Sequence, residues 1–216
     1  MEQLCMNRKL ILFDLDGTLI DSLEDIANAI NMTRRDAGLS ALDLEAVRLA
    51  VGNGADLLID RTIPEEAMPH DQALAAFKKH YTANSSVKTK LYPGVKEGLE
   101  KLKNSGFILG VVSNKPSCAC KKILDGYGIS CFLEVITGGD SPYPLKPEPD
   151  ALLAVKEQYS AEVCIMCGDH YTDLEAGRRA GFTTILAEYG FGDPRNETPD
   201  IRVSSFSGVI DFCRQL

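Results

Sequence analysis

The sequence lacks the long apolar segments of a membrane protein or a secreted protein. None of its apolar runs approaches the roughly 20 residues that a helix needs to cross a bilayer. Residues 1–9 contain no apolar segment typical of a signal peptide, and the short apolar run at residues 10–13 is ended by Asp14. We therefore expect a cytoplasmic protein that does not bind or enter a membrane.

Positive charge is also scarce. The chain holds 23 lysine and arginine residues against 31 aspartate and glutamate residues, which gives a formal net charge of −8. An acidic surface repels nucleic acids and anionic membranes, so we expect neither as a partner. It repels phosphorylated metabolites as well, so a phosphate site in this chain needs a cation of its own.

The cysteines do not form the pattern of a zinc site or of a disulfide framework. There are seven of them, an odd number, and no second CxxC pair accompanies Cys164 and Cys167. These two residues lie three apart in a predicted strand, so their side chains point to opposite faces of the strand. We interpret them as packing residues with reduced thiols.

Short apolar segments alternate with amphipathic helical patterns along most of the chain. This alternation is typical of an α/β fold, in which helices cover both faces of a mostly parallel sheet. The stretch after residue 193 is less informative. The predicted strands are residues 10–13, 107–112, 133–136, 163–167 and 183–186.

One stretch breaks this alternation, because it shows helical spacing and no convincing strand. Its first helical pattern begins with Glu24 and Asp25, which we interpret as first-turn charges that complement the helix dipole. We predict two domains. Residues 1–21 and 87–216 form the α/β catalytic core, and residues 22–86 form an all-helical cap domain.

Polar clusters follow the predicted strands at their carboxyl ends, which is where ligands bind in open α/β sheets. The clusters are residues 14–18, 113–115, 146–149 and 168–173. Because these strand ends meet along one edge of the sheet, we expect the clusters to converge on one crevice.

The residue types in these clusters suit phosphoryl transfer. An aspartate can attack phosphorus and form an acyl phosphate. Clustered carboxylates bind Mg²⁺, which offsets the repulsion between carboxylate and phosphate, and a lysine adds fixed positive charge. A serine hydroxyl can hold phosphate oxygens, and a second carboxylate two residues after the nucleophile can act first as an acid and then as a base.

The four clusters, in order, resemble the four motifs of the haloacid dehalogenase superfamily. The matching segments are Asp-Leu-Asp-Gly-Thr-Leu at 14–19, Ser-Asn at 113–114, Lys-Pro-Glu-Pro at 146–149, and Gly-Asp at 168–169 with Asp173. The resemblance implies a Rossmann-like core with a helical cap inserted after the first strand. It also implies a magnesium-dependent phosphoric monoester hydrolase that works through a phospho-aspartate. The acid at position 16 argues against a dehalogenase, since that branch lacks an acid there.

The resemblance implies a role for each matching residue. Asp14 is expected to be the nucleophile and a metal ligand. Asp16 is expected to be the acid and base, with its backbone carbonyl also reaching the metal. The other implied roles are phosphate binding by Ser113, charge stabilisation by Lys146, Mg²⁺ binding by Asp169, and support of the metal or orientation of Lys146 by Asp173.

A closer resemblance is to the bacterial phosphoglycolate phosphatases and their near relatives, over most of residues 9–190. It is carried by residues 51–56 with Arg61 and by residues 92–95, 113–116 and 138–140. It implies 2-phosphoglycolate as the first choice of substrate. In the turn at 52–54 we expect backbone N–H groups to meet a substrate carboxylate. The residues expected to bind substrate are Thr18, Gly52, Asn53, Gly54, Arg61 and Asn114.

One residue departs from this pattern, because His170 stands where the family more often has Ser or Thr. We interpret His170 as a surface packing residue, so the departure bears on the identity of the substrate more than on the chemistry.

Two other functions remain open on the sequence alone. The nearer rival is a β-phosphoglucomutase-like enzyme, or another small-metabolite or sugar phosphatase of the same superfamily. A rival of a different class is a non-catalytic phosphate-binding or signalling module. For the enzyme, the expected partner is a small phosphorylated metabolite, and the expected state is a monomer or a homodimer.

Overall fold

A parallel sheet of six strands forms the centre of the structure, a computed structural model that describes residues 8–84 and 86–216. Its strand order is β5-β4-β1-β6-β7-β8, and β2 and β3 form a separate antiparallel pair. In chain order the strands are β1 (Lys9–Phe13), β2 (Ile20–Asp21), β3 (Lys90–Leu91), β4 (Ile108–Val112), β5 (Val135–Thr137), β6 (Val163–Gly168), β7 (Thr183–Ala187) and β8 (Ile201–Val203).

The helices follow the strands in the alternation that the sequence predicts, which confirms the α/β fold class. A short 3₁₀ helix, Ser130–Phe132, precedes β5. The α-helices are α1 (Leu23–Asp36), α2 (Leu44–Ala50), α3 (Ala55–Thr62), α4 (His70–Asn84), α5 (Val95–Asn104), α6 (Ser117–Gly126), α7 (Asp150–Tyr159), α8 (Tyr171–Ala180) and α9 (Phe206–Cys213).

Strand β1 lies in the middle of the sheet and is apolar on both faces. Leu10 and Leu12 pack into one apolar cluster, and Ile11 and Phe13 pack into the cluster on the opposite face. This division follows from the two-residue period of a strand, and it explains why the strand reads as a continuous apolar run. The buried strand brings Asp14 to the carboxyl edge of the sheet.

Helices α1 to α4 lie between β2 and β3 and have an apolar cluster of their own. Strands β2 and β3 pair Ile20 with Leu91 and Asp21 with Lys90, so the two ends of this helical segment lie side by side. We refer to α1–α4 as the helical segment. Its assignment as a separate domain of residues 22–86 stays a prediction.

Asp25 lies in the first turn of α1, as the sequence pattern predicts, but it also has a role that the pattern did not indicate. It is buried in α1, and its carboxylate accepts hydrogen bonds from the backbone N–H groups of Lys88 and Thr89 and from the Thr89 hydroxyl. The partners lie more than 60 residues away along the chain. Asp25 therefore joins the beginning of the helical segment to the strand that follows it.

The carboxyl-terminal part of the chain contains two elements that the sequence patterns did not predict. Strand β8 adds an edge to the sheet beside β7, and α9 packs on α5. A Cβ atom on Gly98 would lie 2.5 Å from a ring carbon of Phe206, so the two helices touch closely at this glycine. A strand of three residues is too short to show a clear period, which explains why β8 was missed.

The cysteine interpretation agrees with the structure where it is described. Cys164 and Cys167 are both buried and free, and they pack in different apolar clusters. Cys5 lies outside the described residues. Among the described residues, we find no helix with the length and apolarity that a membrane span requires.

We expect Asp25→Ala to lower the free energy of unfolding by about 3 kcal/mol, because it leaves buried donors of residues 88 and 89 without an acceptor. Urea unfolding followed by circular dichroism measures the change. The neighbouring variant Glu24→Ala is the control, since Glu24 is exposed, and we expect it to stay within about 0.5 kcal/mol of the wild type. Equal effects of the two variants would contradict this role of Asp25.

Candidate active site

The polar clusters that follow the strands do converge on one cavity. It has a volume of about 440 Å³ and lies between the carboxyl edge of the sheet and the helical segment. From the core, its lining includes Asp14 and Asp16 after β1, Ser113 after β4, Lys146 before α7 and Asp169 after β6. This is the edge at which open α/β sheets bind ligands.

The ammonium group of Lys146 is a deeply buried charge of this cavity, with only 2% of its side chain exposed. It donates hydrogen bonds to Asp14 Oδ1 at 2.9 Å, to Asp173 Oδ1 at 2.6 Å and to the Val112 carbonyl at 2.6 Å. Burial lowers the pKa of Lys146, but the two carboxylates raise it above its ordinary value. The lysine therefore stays charged and uses all three of its N–H bonds.

Three carboxylates form a tight group beside this lysine. Oxygen atoms of Asp14, Asp169 and Asp173 all lie within 4.8 Å of one another. Burial raises the pKa of Asp14, and Lys146 offsets part of that rise while Asp173 adds to it. Burial also raises the pKa of Asp169 well above its usual range, helped by repulsion from Asp173 and Asp14.

This group fits a hard divalent cation. Lys146 supplies one positive charge for three carboxylates, so negative charge remains in excess and the oxygens crowd one another. An all-oxygen donor set at this spacing is what Mg²⁺ and similar ions prefer. A cation bound here would favour the ionised forms of Asp14 and Asp169, whose pKa values burial and mutual repulsion raise.

Asp169 is held between two loops, and the glycines of these loops lie too close to it to be replaced by residues with a side chain. Its Oδ2 atom accepts hydrogen bonds from the N–H groups of Phe191 at 3.1 Å and Gly192 at 2.7 Å. A Cβ atom on Gly17 would lie 1.8 Å from Asp169 Oδ2, and one on Gly190 would lie 2.4 Å from Asp169 Cβ. Sequence reasoning missed the second loop, because residues 190–192 lie outside the matched motifs.

Asp16 lies apart from the three-carboxylate group. Its carboxylate accepts hydrogen bonds from the Ser22 hydroxyl and from Lys115 Nζ, and the side chain is 13% exposed at the cavity wall. This position faces the space in which a leaving group would lie and suits an acid and base. The predicted contact between the Asp16 backbone carbonyl and a metal ion stays a prediction.

Lys115 is a cavity residue that the predicted site did not include. Its side chain is 8% exposed, and its ammonium pairs with Asp16 and lies 4.8 Å from the centre of the Tyr81 ring. Burial lowers the pKa of Lys115, but the attraction of Asp16 raises it above its ordinary value. Two signals could have found it, namely its place directly after residues 113–114 and the need for a cation in an acidic protein.

Asn114 connects two loops through its side chain. Its Oδ1 atom accepts a hydrogen bond from the Lys146 N–H at 2.9 Å, and its Nδ2 group donates to the carbonyls of Lys146 at 2.9 Å and Gly52 at 3.1 Å. The amide is therefore occupied in holding Lys146 and the turn of the helical segment. This differs from the predicted contact with substrate, for which the amide has no free donor.

The turn at residues 52–54 reaches the cavity only through its glycines. Gly52 and Gly54 lie on the cavity wall. The Asn53 side chain accepts a hydrogen bond from Arg61 at 2.9 Å and donates one to the Tyr171 hydroxyl at 2.6 Å. Arg61 also donates to the Ala50 carbonyl at 2.9 Å. These two side chains therefore brace the turn.

Thr18 is a further predicted substrate contact that the described structure does not bring to the cavity wall. It is fully buried, and its hydroxyl has no hydrogen-bond partner among the described residues. Its carbonyl accepts a hydrogen bond from the Tyr189 hydroxyl at 2.9 Å, which ties the loop after β1 to the loop after β7.

His170 is a buried cap of α8, so its interpretation as a surface residue is wrong. The Nδ1 atom of its ring lies 2.9 Å from the Thr172 hydroxyl. The backbone N–H of His170 donates a hydrogen bond to Asp173 Oδ2 at 3.0 Å. Burial lowers the pKa of His170 to about 4, which keeps the imidazole neutral. A Cβ atom on Gly52 would lie 2.5 Å from its ring, so His170 packs directly against the turn of the helical segment.

Comparison with known proteins places this site in a family. Residues 11–187 match the family model described as haloacid dehalogenase-like hydrolase. The chain belongs to the haloacid dehalogenase-like hydrolases. The match spans the whole set of polar clusters, from Asp14 to Asp173, and most of the parallel sheet.

Several relatives of this hydrolase are named phosphoglycolate phosphatase. It is 42% identical to a phosphoglycolate phosphatase of Vibrio cholerae and 38% identical to one of Aquifex aeolicus, in each case over 94% of this chain and 95% of the relative. Among solved structures, a predicted phosphoglycolate phosphatase from Haemophilus somnus is 31% identical, with a TM-score of 0.90 over 95% of this chain and 98% of that chain. The resemblance seen in the sequence motifs is confirmed.

We expect Mg²⁺ to raise the melting temperature of this hydrolase by about 5–10 °C at roughly 100 times its dissociation constant, because the ion binds the folded carboxylate group only. Differential scanning fluorimetry with Mg²⁺ or with EDTA measures the shift. Asp169→Asn should lose most of it. Asp125→Asn is the matched control, since Asp125 pairs with Lys121 on the surface, and it should keep the full shift. A wild type with the same melting temperature in both solutions would contradict the metal site.

Proposed function

We propose that this hydrolase is a Mg²⁺-dependent phosphatase that hydrolyses 2-phosphoglycolate through a phospho-aspartate at Asp14. The observation that carries the proposal is the arrangement around Asp14. Its carboxylate ends the central strand, is held by Lys146 at 2.9 Å, belongs to the three-carboxylate group and is followed two residues later by Asp16 in the cavity wall. The names of the relatives support the choice of substrate.

In the first half-reaction, an oxygen of Asp14 attacks the phosphorus atom of the ester. Lys146 holds Oδ1, which leaves Oδ2 to form the new bond. As that bond forms, the bond between phosphorus and the ester oxygen breaks, and the leaving oxygen takes a proton from Asp16. The products of this step are an acyl phosphate on Asp14 and a free alcohol, which for 2-phosphoglycolate is glycolate.

In the second half-reaction, water attacks the phosphorus atom of the acyl phosphate. Asp16, which has given up its proton, now accepts one from the water. The bond between phosphorus and Asp14 breaks, which restores the Asp14 carboxylate and releases inorganic phosphate. The same side chain therefore serves as the acid in one step and as the base in the next.

Fixed charges around the phosphoryl group support both steps. The Ser113 hydroxyl would hold a phosphate oxygen. The Lys146 ammonium, whose three N–H bonds are already used, would act through its positive charge on the charge that gathers in the transition state. Asp14 and Asp169 would bind Mg²⁺, with Asp173 beside them and still bonded to Lys146. When bound, the ion offsets the charge of the carboxylates and the phosphate together.

The proposed cap domain of residues 22–86 completes the site. Helices α3 and α4 and the turn at residues 52–54 supply one wall of the cavity. A wall on this side keeps bulk water away while the acyl phosphate forms, and it surrounds the leaving group instead of the phosphate. Substrate selection therefore falls to this part of the chain.

We expect Asp14→Asn to lower phosphatase activity by about 10⁴-fold or more, because the amide is a poor nucleophile. Release of phosphate from 2-phosphoglycolate, sugar phosphates and p-nitrophenyl phosphate in the presence of Mg²⁺ measures it. Asp21→Asn is the control, since Asp21 lies on β2 opposite Lys90 and outside the cavity wall. Near-wild-type turnover by Asp14→Asn would falsify the covalent mechanism.

We expect Asp16→Asn to slow the hydrolysis of ethyl phosphate by about 10²–10⁴-fold, because the poor leaving group needs the proton that this side chain supplies. With p-nitrophenyl phosphate, which leaves without a proton, the variant should still form the acyl phosphate and should accumulate it. Rapid-quench measurement of the first turnover separates the two steps. If Asp16→Asn matched the wild type on ethyl phosphate, another group would be the acid.

A further inference from the structure

Two side chains of the cavity have no part in the steps above. Tyr81, from α4, and Lys115, after β4, lie together on the wall beside Asp16. The core motifs bind phosphate and metal, so these two residues stand where a leaving group would lie. What they can bind follows from their hydrogen-bonding groups.

The Tyr81 hydroxyl is buried without a partner. The residue is 7% exposed, its ring lines the cavity, and its hydroxyl has no hydrogen-bond partner among the described residues. A buried polar atom without a partner costs stability, and such atoms are rare in native proteins. A phenol hydroxyl on a cavity wall finds its missing partner in a ligand.

Lys115 provides positive charge at the same place. Its ammonium lies 4.8 Å from the centre of the Tyr81 ring and uses one of its three N–H bonds on Asp16. Lys115 lies three residues after the end of β4, and only 8% of its side chain is exposed, so its position is well defined. At least one N–H donor of Lys115 and the O–H donor of Tyr81 therefore remain for a ligand.

We propose that Lys115 and Tyr81 form an anion site that binds the carboxylate of the leaving group. The proposal rests on the phosphatase function proposed above and names its substrate class, which is a phosphorylated hydroxy acid. An ammonium and a hydroxyl both donate hydrogen bonds, and an ionised carboxylate only accepts them, so the two sets match. The neutral hydroxyls of a sugar would form weaker hydrogen bonds with the Lys115 ammonium than a carboxylate would.

The position of Asp16 limits the length of the substrate. Asp16 meets the ester oxygen as acid, and its own hydrogen-bond partner Lys115 meets the carboxylate. The carboxylate therefore lies only a few bonds from the ester oxygen.

This site is separate from the turn at residues 52–54, whose backbone N–H groups stay a predicted contact for a substrate carboxylate. Asn53 and Arg61 are hydrogen-bonded to each other away from the cavity wall, whereas Tyr81 and Lys115 line it. The glycines of the turn still shape the cavity, but the charge that recognises the substrate comes from after β4.

The test uses two esters of nearly equal size, 2-phosphoglycolate and ethyl phosphate, which differ in a carboxylate and a methyl group. We expect Tyr81→Phe to lower the ratio of their kcat/KM values by about tenfold, because one hydrogen bond to a charged group is lost. Lys115→Met should lower the ratio at least as much. If both variants kept the ratio within twofold of the wild type, the anion site would be wrong.

Tyr127→Phe is the matched control. The Tyr127 hydroxyl donates to the Thr89 carbonyl and lies outside the cavity wall. This variant should lower the melting temperature and keep the ratio of kcat/KM values. Tyr81→Phe should do the opposite, with an unchanged or higher melting temperature, because its hydroxyl has no partner in the free protein. If the ratio of kcat/KM values fell equally in both variants, the effect of Tyr81 would be structural and the anion site would be wrong.

A binding measurement separates this proposal from the proposed function. In an Asp14→Asn background, which does not turn over, calorimetry gives the dissociation constants of both esters with Mg²⁺ present. We expect 2-phosphoglycolate to bind at least tenfold more tightly than ethyl phosphate, and Tyr81→Phe to remove most of that preference. If 2-phosphoglycolate bound preferentially but the wild type did not hydrolyse it, the anion site would stand and the phosphatase function would be rejected. If the wild type hydrolysed 2-phosphoglycolate but the two esters bound equally well, only the anion site would be rejected.

Discussion

The contact of Lys146 with Asp14 and Asp173 is the interaction on which the rest of the site depends. One buried ammonium joins the end of β1, the end of β4 and the beginning of α8, with distances of 2.6–2.9 Å to all three partners. Removing one partner of such a buried pair typically costs about 3–5 kcal/mol, because the other charge is left without compensation. The position of the Asp14 carboxylate and the stability of the sheet edge therefore depend on the same contact.

The surplus of negative charge around this lysine explains why the site is built so tightly. Carboxylates that repel one another would move apart unless the backbone held them. Asp169 is fixed by two backbone N–H groups and enclosed by glycines, and Asp173 is fixed at the first turn of α8 by the N–H of His170. Held together in this way, the three carboxylates present the crowded oxygen atoms that a divalent cation prefers.

The sequence was sufficient to predict those parts of the structure that a local pattern determines. The buried strands could be read because apolar runs in a parallel sheet are continuous, and Asp14, Ser113, Lys146 and Asp169 could be placed because each follows a strand. It was insufficient where a partner lies far along the chain. The burial of Asp25, the mutual contact of Asn53 and Arg61, and the position of Lys115 over Tyr81 all depend on tertiary packing between separate elements.

The helical segment is tied to the core largely through polar contacts around the cavity. Asn114 donates to the Gly52 carbonyl, Asn53 donates to Tyr171, and Arg48 donates to the Phe191 carbonyl at 3.0 Å. The two sides have separate apolar clusters, and Phe191 of the core packs against the cluster of the helical segment. The ion pair of Asp16 with Lys115 lies at this boundary. Because the Lys115 ammonium also lies over the ring of Tyr81 from α4, it connects the carboxyl edge of the sheet to the helical segment.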